Sequence, residues 1–179
     1  MTRDSGDLTL LIHRSMVSAG WDVDTLYARL GYDVRELPLY DSRPRHSLQQ
    51  GFWHAVEEMT GDPQAGLSLC PYIPPYRGRG LEYVLFASHT LREGLENLHA
   101  YRRLISDAFE IEVVEDAQGP RVLLKGTAYD SVVRRHAEAC VAQVFVQTLA
   151  TATDNIVTPQ RINFCFSSSE EPNRYRTVF

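Results

Sequence analysis

Between Ser88 and Val114 the spacing of apolar residues changes from a helical period to a strand period. Leu91, Leu95, Leu98, Arg102 and Ile105 recur at three- and four-residue steps with Tyr101 beside them, which predicts one face of an amphipathic helix. Arg92, Glu96, His99, Arg103 and Ser106 take the opposite face. Thr90 and Glu93 have the spacing of a capping box, in which each side chain satisfies a free backbone N–H at the helix start. After Asp107, Phe109, Ile111 and Val113 alternate with Glu110 and Glu112, the signature of a strand with one apolar face. Arg102 is a permanent cation in an apolar seam. It is either a stem that snorkels to water or a charge held inward for a purpose.

The same patterns divide the rest of the chain. Leu8 to Ala19 reads as a helix with Leu8, Leu11, Ile12 and Met16 on one side, ended by Gly20. Asp22 caps a shorter helix carrying Val23, Leu26, Tyr27 and Leu30, closed by Gly31. Acids at Asp22 and Asp24 would repel phosphates, so these two helices do not read as a DNA-binding pair. Tyr32 to Arg45, with Pro38 and Pro44, reads as a connecting loop. Ser47 and Gln50 have capping-box spacing for a helix through Met59, with Leu48, Phe52, Val56 and Met59 inward. Thr60-Gly61 stops it, and Asp62-Pro63 opens a short helix with Leu67 and Leu69. Cys70 to Gly80 is a loop rich in Pro, Gly and Tyr, and Leu81 to Ala87 reads as a helical turn or two. Glu115 to Pro120 connects a hairpin whose return strand is Arg121 to Lys125. Asp130 or Ser131 caps the longest helix, to about Thr153, whose Ala139–Ala152 stretch is apolar or small nearly all round and so predicted to be buried on several sides. Gln160 to Ser167 alternates as a strand, and Ser169 to Pro172 opens a final helix.

These elements predict an α+β fold over residues 1–179: a helical N-terminal half packed with a small antiparallel sheet and one long buried helix. The length suits a single domain. A net charge of −5 argues against this stretch gripping nucleic acid or an anionic membrane. Three widely spaced cysteines do not make a disulfide framework, and a reduced cytoplasmic setting fits them. No signal peptide and no membrane-spanning run is present. An ending on Val178-Phe179 suggests a fragment with sequence to follow.

Phe52-Trp53, Thr60-Gly61-Asp62-Pro63, Gly66-Leu67, Ser88, Thr90-Leu91, Gly94-Leu95, Tyr101 to Asp107, the hairpin, Phe166, Tyr175 and Phe179 occur here in an order that resembles a known family. It is the N-terminal, arabinose-binding-type domain of AraC/XylS bacterial transcription regulators. The resemblance implies an effector-sensing and dimerising domain whose DNA-binding partner, a helix-turn-helix domain, is absent from this chain. It implies a homodimer, a small-molecule effector, and DNA only through the missing domain. The label does not identify the effector as a sugar.

An effector pocket needs aromatics and a few polar groups around an apolar cavity. Tyr72, Tyr76, Tyr83, Phe86 and His89 supply them, joined by Tyr101 and Arg102 of the capped helix. Arg102 held inward would clamp a carboxylate, and the bland alternative is that the aromatics are core and Arg102 pairs with a local acid. His136 and Cys140 share a helix face but lack a third ligand, so no metal or other cofactor is expected. No G-x-S-x-G, P-loop, G-x-G-x-x-G or H-E-x-x-H occurs, which argues against an enzyme. A protein–protein module without a ligand, in which the small residues of Ala137–Ala152 make a dimer contact, stays open beside the sensor reading, as does, more distantly, a small-molecule enzyme.

Overall fold

The computed structural model describes residues 2–32, 42–77, 80–117, 119–126, 130–166 and 172–179. Much of the expected Tyr32–Arg45 loop, the Gln118 position of the hairpin, and the Ser167 and Ser169 element ends lie outside these residues.

Helices α1 (Gly6–Ser18), α2 (Val23–Leu30), α3 (Leu48–Thr60) and α4 (Ala65–Leu69) build the first half. Ser5 and Asp22 cap the first two through side-chain oxygens that accept from Asp7 and Thr25 amides. Gly31 and Gly61 close α2 and α3 with positive φ, a conformation that side-chain-bearing residues rarely adopt. The Ser47 capping box does not form. Ser47 is itself helical and makes no side-chain cap, and Gln50 reaches instead to Asp130 at 3.1 Å. Asp62 accepts from the amide of Gln64, two residues on, as a cap followed by Pro63 would, while the regular helix begins only at Ala65. The Cys70–Gly80 loop begins as a 3₁₀ turn over Cys70–Tyr72.

Helices α5 (Leu81–Phe86) and α6 (Leu91–Tyr101) lead to a 3₁₀ turn at Arg102–Leu104 and then to the hairpin β1 (Phe109–Asp116) and β2 (Gly119–Gly126). Thr90 caps α6 as expected, and Glu93 reaches back to the His89 amide, one residue farther than a strict capping box. The strands pair antiparallel from Phe109↔Gly126 to Asp116↔Gly119, so the ladder extends into the stretch that reads as a turn. Gly119, at φ 106°, permits the tight reversal.

Helix α7 (Ser131–Ala152) joins the two halves. Its first half, through Val133, Ala139 and Cys140, enters a core with Leu11, Met16, Leu26, Trp53, Val56, Leu67 and Leu69. Farther along, Phe145 and Leu149 pack against Leu85, Leu95, Leu98 and Ile111, beneath α5, α6 and the hairpin. This double burial is why its sequence lacks a polar face over that stretch. Residues 160–166 form no strand. The Cys165 amide donates to Glu138 rather than to a neighbouring strand, and Phe164 and Phe166 pack on Tyr175 of α8 (Pro172–Val178). The alternation there marks an irregular segment with one face laid on a helix. The fold is therefore α+β with a two-stranded sheet.

Candidate functional site

A cleft of roughly 330 Å³ opens between α1 and residues 74–77. Asp7, Leu10, Leu11 and Arg14 supply one wall, at i, i+3, i+4 and i+7 and so along one stripe of the helix. Pro74, Pro75, Tyr76 and Arg77 supply the other. Two successive prolines have fixed φ and no amide hydrogens, so this wall shifts as a unit and offers no backbone donors at Pro74 and Pro75. The cleft thus has an apolar middle of leucine and proline, a nearly buried tyrosine, one carboxylate and two guanidinium groups. Asp7 is buried, and its carboxylate accepts from Ser5 Oγ at 2.8 Å.

Of the residues expected to form a pocket, Tyr76 lines this cleft. Tyr72 is exposed at the adjoining 3₁₀ turn. Tyr83 and Phe86 are exposed and meet edge to face at 6.3 Å. The His89 side chain is 92% exposed, near Glu93. Tyr101 is exposed at the end of α6. Arg102 is half-buried, donates to the His99 carbonyl at 3.0 Å and pairs with Glu110 at 3.6 Å, so its charge is answered locally. Leu10, Leu11, Arg14 and Arg77 line the cleft and are not among the residues expected to form a pocket. The apolar face of this helix reads as Leu8, Leu11, Ile12 and Met16, and the meeting of its Asp7–Arg14 side with a proline run some sixty residues later is a tertiary fact.

Three further histidines sit beside carboxylates, the arrangement acid–base chemistry would need. Each is structural. His46 Nδ1 lies 2.8 Å from Asp4, which also accepts from Ser106 Oγ at 2.6 Å and Gln49 at 3.1 Å. Burial pushes the Asp4 carboxyl up, but these hydrogen bonds outweigh it and leave the pKa below the ordinary range. Ser106 donates to the acid and not to the imidazole, so it is not an activated nucleophile. His54 meets Asp130, the cap of α7, at 2.8 Å. His136 is fully buried, stacks on Trp53, accepts from the Gly66 amide through Nδ1 and meets Glu57 through Nε2 at 2.9 Å. None of these groups lines the cleft. Among the described residues, no three His, Cys, Asp or Glu side chains gather as a metal site.

Residues 20–179 match the family model described as the arabinose-binding domain of AraC transcription regulators, N-terminal. The chain belongs to this family. Among curated proteins, none matches it. The family is a regulatory ligand-binding domain of transcription factors and not an enzyme family. The stretch that matches begins after α1, so the α1 wall of the cleft lies outside it and residues 74–77 lie inside. The motif residues that resemble the family hold one packing centre in this AraC-type domain. Trp53 stacks on His136, Gly61 closes α3, Asp62 binds Arg174, and Gly66 meets α7. No helix is long and apolar enough to cross a membrane among the described residues.

Proposed function

We propose that this AraC-type domain senses a small-molecule effector in the cleft between α1 and residues 74–77, and that the bound state controls a DNA-binding domain attached in the full regulator. Family membership together with the cleft carries this reading. Its volume is at the small end of the roughly 300–1,000 Å³ usual for ligand sites. Arg77 beside leucine and proline suits a compact ligand with an apolar body and a carboxylate.

Transmission has a physical route. Ile73, next to the cleft, accepts a hydrogen bond from Gln147 of α7 at 3.0 Å, and α7 spans both halves of the core. An effector that prefers one setting of residues 74–77 thereby biases α7, and with it a homodimer and the DNA-binding domains it carries.

A panel of aromatic acids, short fatty acids, amino acids and sugars, scored by the rise in thermal midpoint, tests the reading. A carboxylate-bearing class should stabilise the protein, and Leu10→Trp, which fills the cleft, should abolish that rise. The reading fails if no class stabilises, or if Leu10→Trp leaves the rise intact. Exposed Tyr83 and Phe86 favour a second reading, an interaction module in which contact with a partner is the whole function. In that case Tyr83→Ser would change the oligomeric state and no ligand would raise the midpoint.

A further inference from the structure

The crossing of α4 and α7 brings two thiols together. Gly66 and His136 touch backbone to backbone, and a Cβ placed on Gly66 would lie 2.5 Å from His136 Cα. Cys70 and Cys140 each follow four residues later, about one helical turn on along both segments. Their sulfurs share one acceptor: the Gly66 carbonyl oxygen receives Cys70 at 3.3 Å and Cys140 at 3.5 Å. Cys70 also reaches the Ala139 carbonyl, beside Cys140, at 3.5 Å. Both thiols are free and buried, whereas Cys165 is exposed. Neither belongs to the effector cleft.

We propose that Cys70 and Cys140 are a dithiol that a hydroperoxide converts to an intramolecular disulfide, stapling the end of α4 to the middle of α7. One thiol, as thiolate, attacks the outer peroxide oxygen and breaks the O–O bond, giving a sulfenic acid and an alcohol, or water from hydrogen peroxide. The second thiol attacks the sulfenic sulfur, and water leaves. Two thiols lose two electrons and two protons, and the peroxide takes up both. A disulfide requires Cα atoms within about 7 Å, a separation that backbone contact one turn earlier favours.

The pair is guarded. The Cys70 thiol and burial hold Cys140 well above the ordinary thiol range, so little thiolate exists in the closed fold. Tyr175, Val178 and Phe179 of the α8 region pack in the same core as the two cysteines. Helix α8 is tied down by Arg174, which donates to both carboxylate oxygens of Asp62, at 3.1 and 3.0 Å, and to Ser68 Oγ. Loosening that tie uncovers the sulfurs and sets the oxidation rate.

The test exposes the 179-residue protein to hydrogen peroxide at mildly alkaline pH, alkylates the remaining thiols in denaturant and maps the peptides by mass. A linked Cys70–Cys140 pair lighter by two hydrogens is expected, with Cys165 outside it. The oxidised protein should melt higher than the reduced one, a difference that dithiothreitol removes and Cys70→Ser never shows. Arg174→Gln should form the link about tenfold faster, and Ser68→Ala is the milder variant if Arg174→Gln does not fold. Recovery of both thiols as free in wild type and in the loosened variant overturns the proposal. So does a link from Cys140 to Cys165.

Discussion

The Gly66 amide donates to Nδ1 of His136 at 3.1 Å, at a point where α4 and α7 are too close for any side chain on residue 66. A Cβ there would lie 2.5 Å from both the Cα and the carbonyl oxygen of His136. These are backbone atoms and cannot swing away. Gly66→Ala is therefore expected to destabilise the domain by roughly 3 kcal/mol, the upper part of the usual cost of overpacking. Urea unfolding measures it. A loss below about 1 kcal/mol would show that the helices separate freely there.

The same hydrogen bond fixes the ionisation of His136. An amide can only donate, so Nδ1 must be unprotonated and the ring proton sits on Nε2, facing Glu57. Burial lowers the His136 pKa below its ordinary 6.5; the Glu57 carboxylate offsets this only in part. A histidine depressed by folding contributes stability above the unfolded value, and that stability is lost as the pH falls below 6.5. The ring resonances of His136 should stay in their neutral positions down to below pH 6.5. A titration midpoint at or above that value would show that the Glu57 carboxylate, and not burial, governs the imidazole.

Asp62 behaves in the acid range. Burial raises its carboxyl, but Arg174, Ser68 and the Gln64 amide outweigh this and bring it to about 2. A carboxyl depressed by folding stabilises the fold above its ordinary 3.8, and the contribution disappears as pH falls toward 2. Arg174→Gln should raise the acid-unfolding midpoint and cost about 1–2 kcal/mol near neutrality, as expected for a charge-assisted pair that is about one-third exposed or less. Near-ultraviolet circular dichroism from pH 5 downward reads the transition. An unchanged midpoint would mean that α8 is held by its aromatic contacts alone.

Local chemistry explains what was legible in the sequence. Thr90, Asp22 and Asp130 cap as read, because a cap needs only residues within one turn. The Ser47–Gln50 box failed because Ser47 already lies in a helical turn that begins near Arg45, and Gln50 turns to Asp130, eighty positions on. Residues 162–166 misled for a related reason: the alternation of Ile162, Phe164 and Phe166 fits any extended chain with one covered face, and the cover here is α8. Tyr76, one of the expected pocket residues, does line the cleft, whereas none of the residues on its α1 wall was expected to form a pocket. Nothing in Leu10 or Arg14 points to a proline run far along the chain. Likewise Cys70 and Cys140 look isolated until α4 crosses α7.

Arg102 separates the two candidate locations for effector binding. Its guanidinium already donates to the His99 carbonyl and pairs with Glu110, an acid that is mostly exposed. Such a pair contributes about 0–1 kcal/mol, since water screens the acid and two long side chains must be ordered. Arg102→Met keeps the aliphatic stem, so its stability should stay within about 0.5 kcal/mol of wild type. Arg77 instead lines the cleft, and Arg77→Met should weaken a carboxylate effector about tenfold or more, the loss of one charge-assisted contact. Titration of both variants with the best ligand from the thermal panel decides between them. If Arg102→Met loses the ligand and Arg77→Met keeps it, the effector sits beside α6 and the cleft is not the sensor.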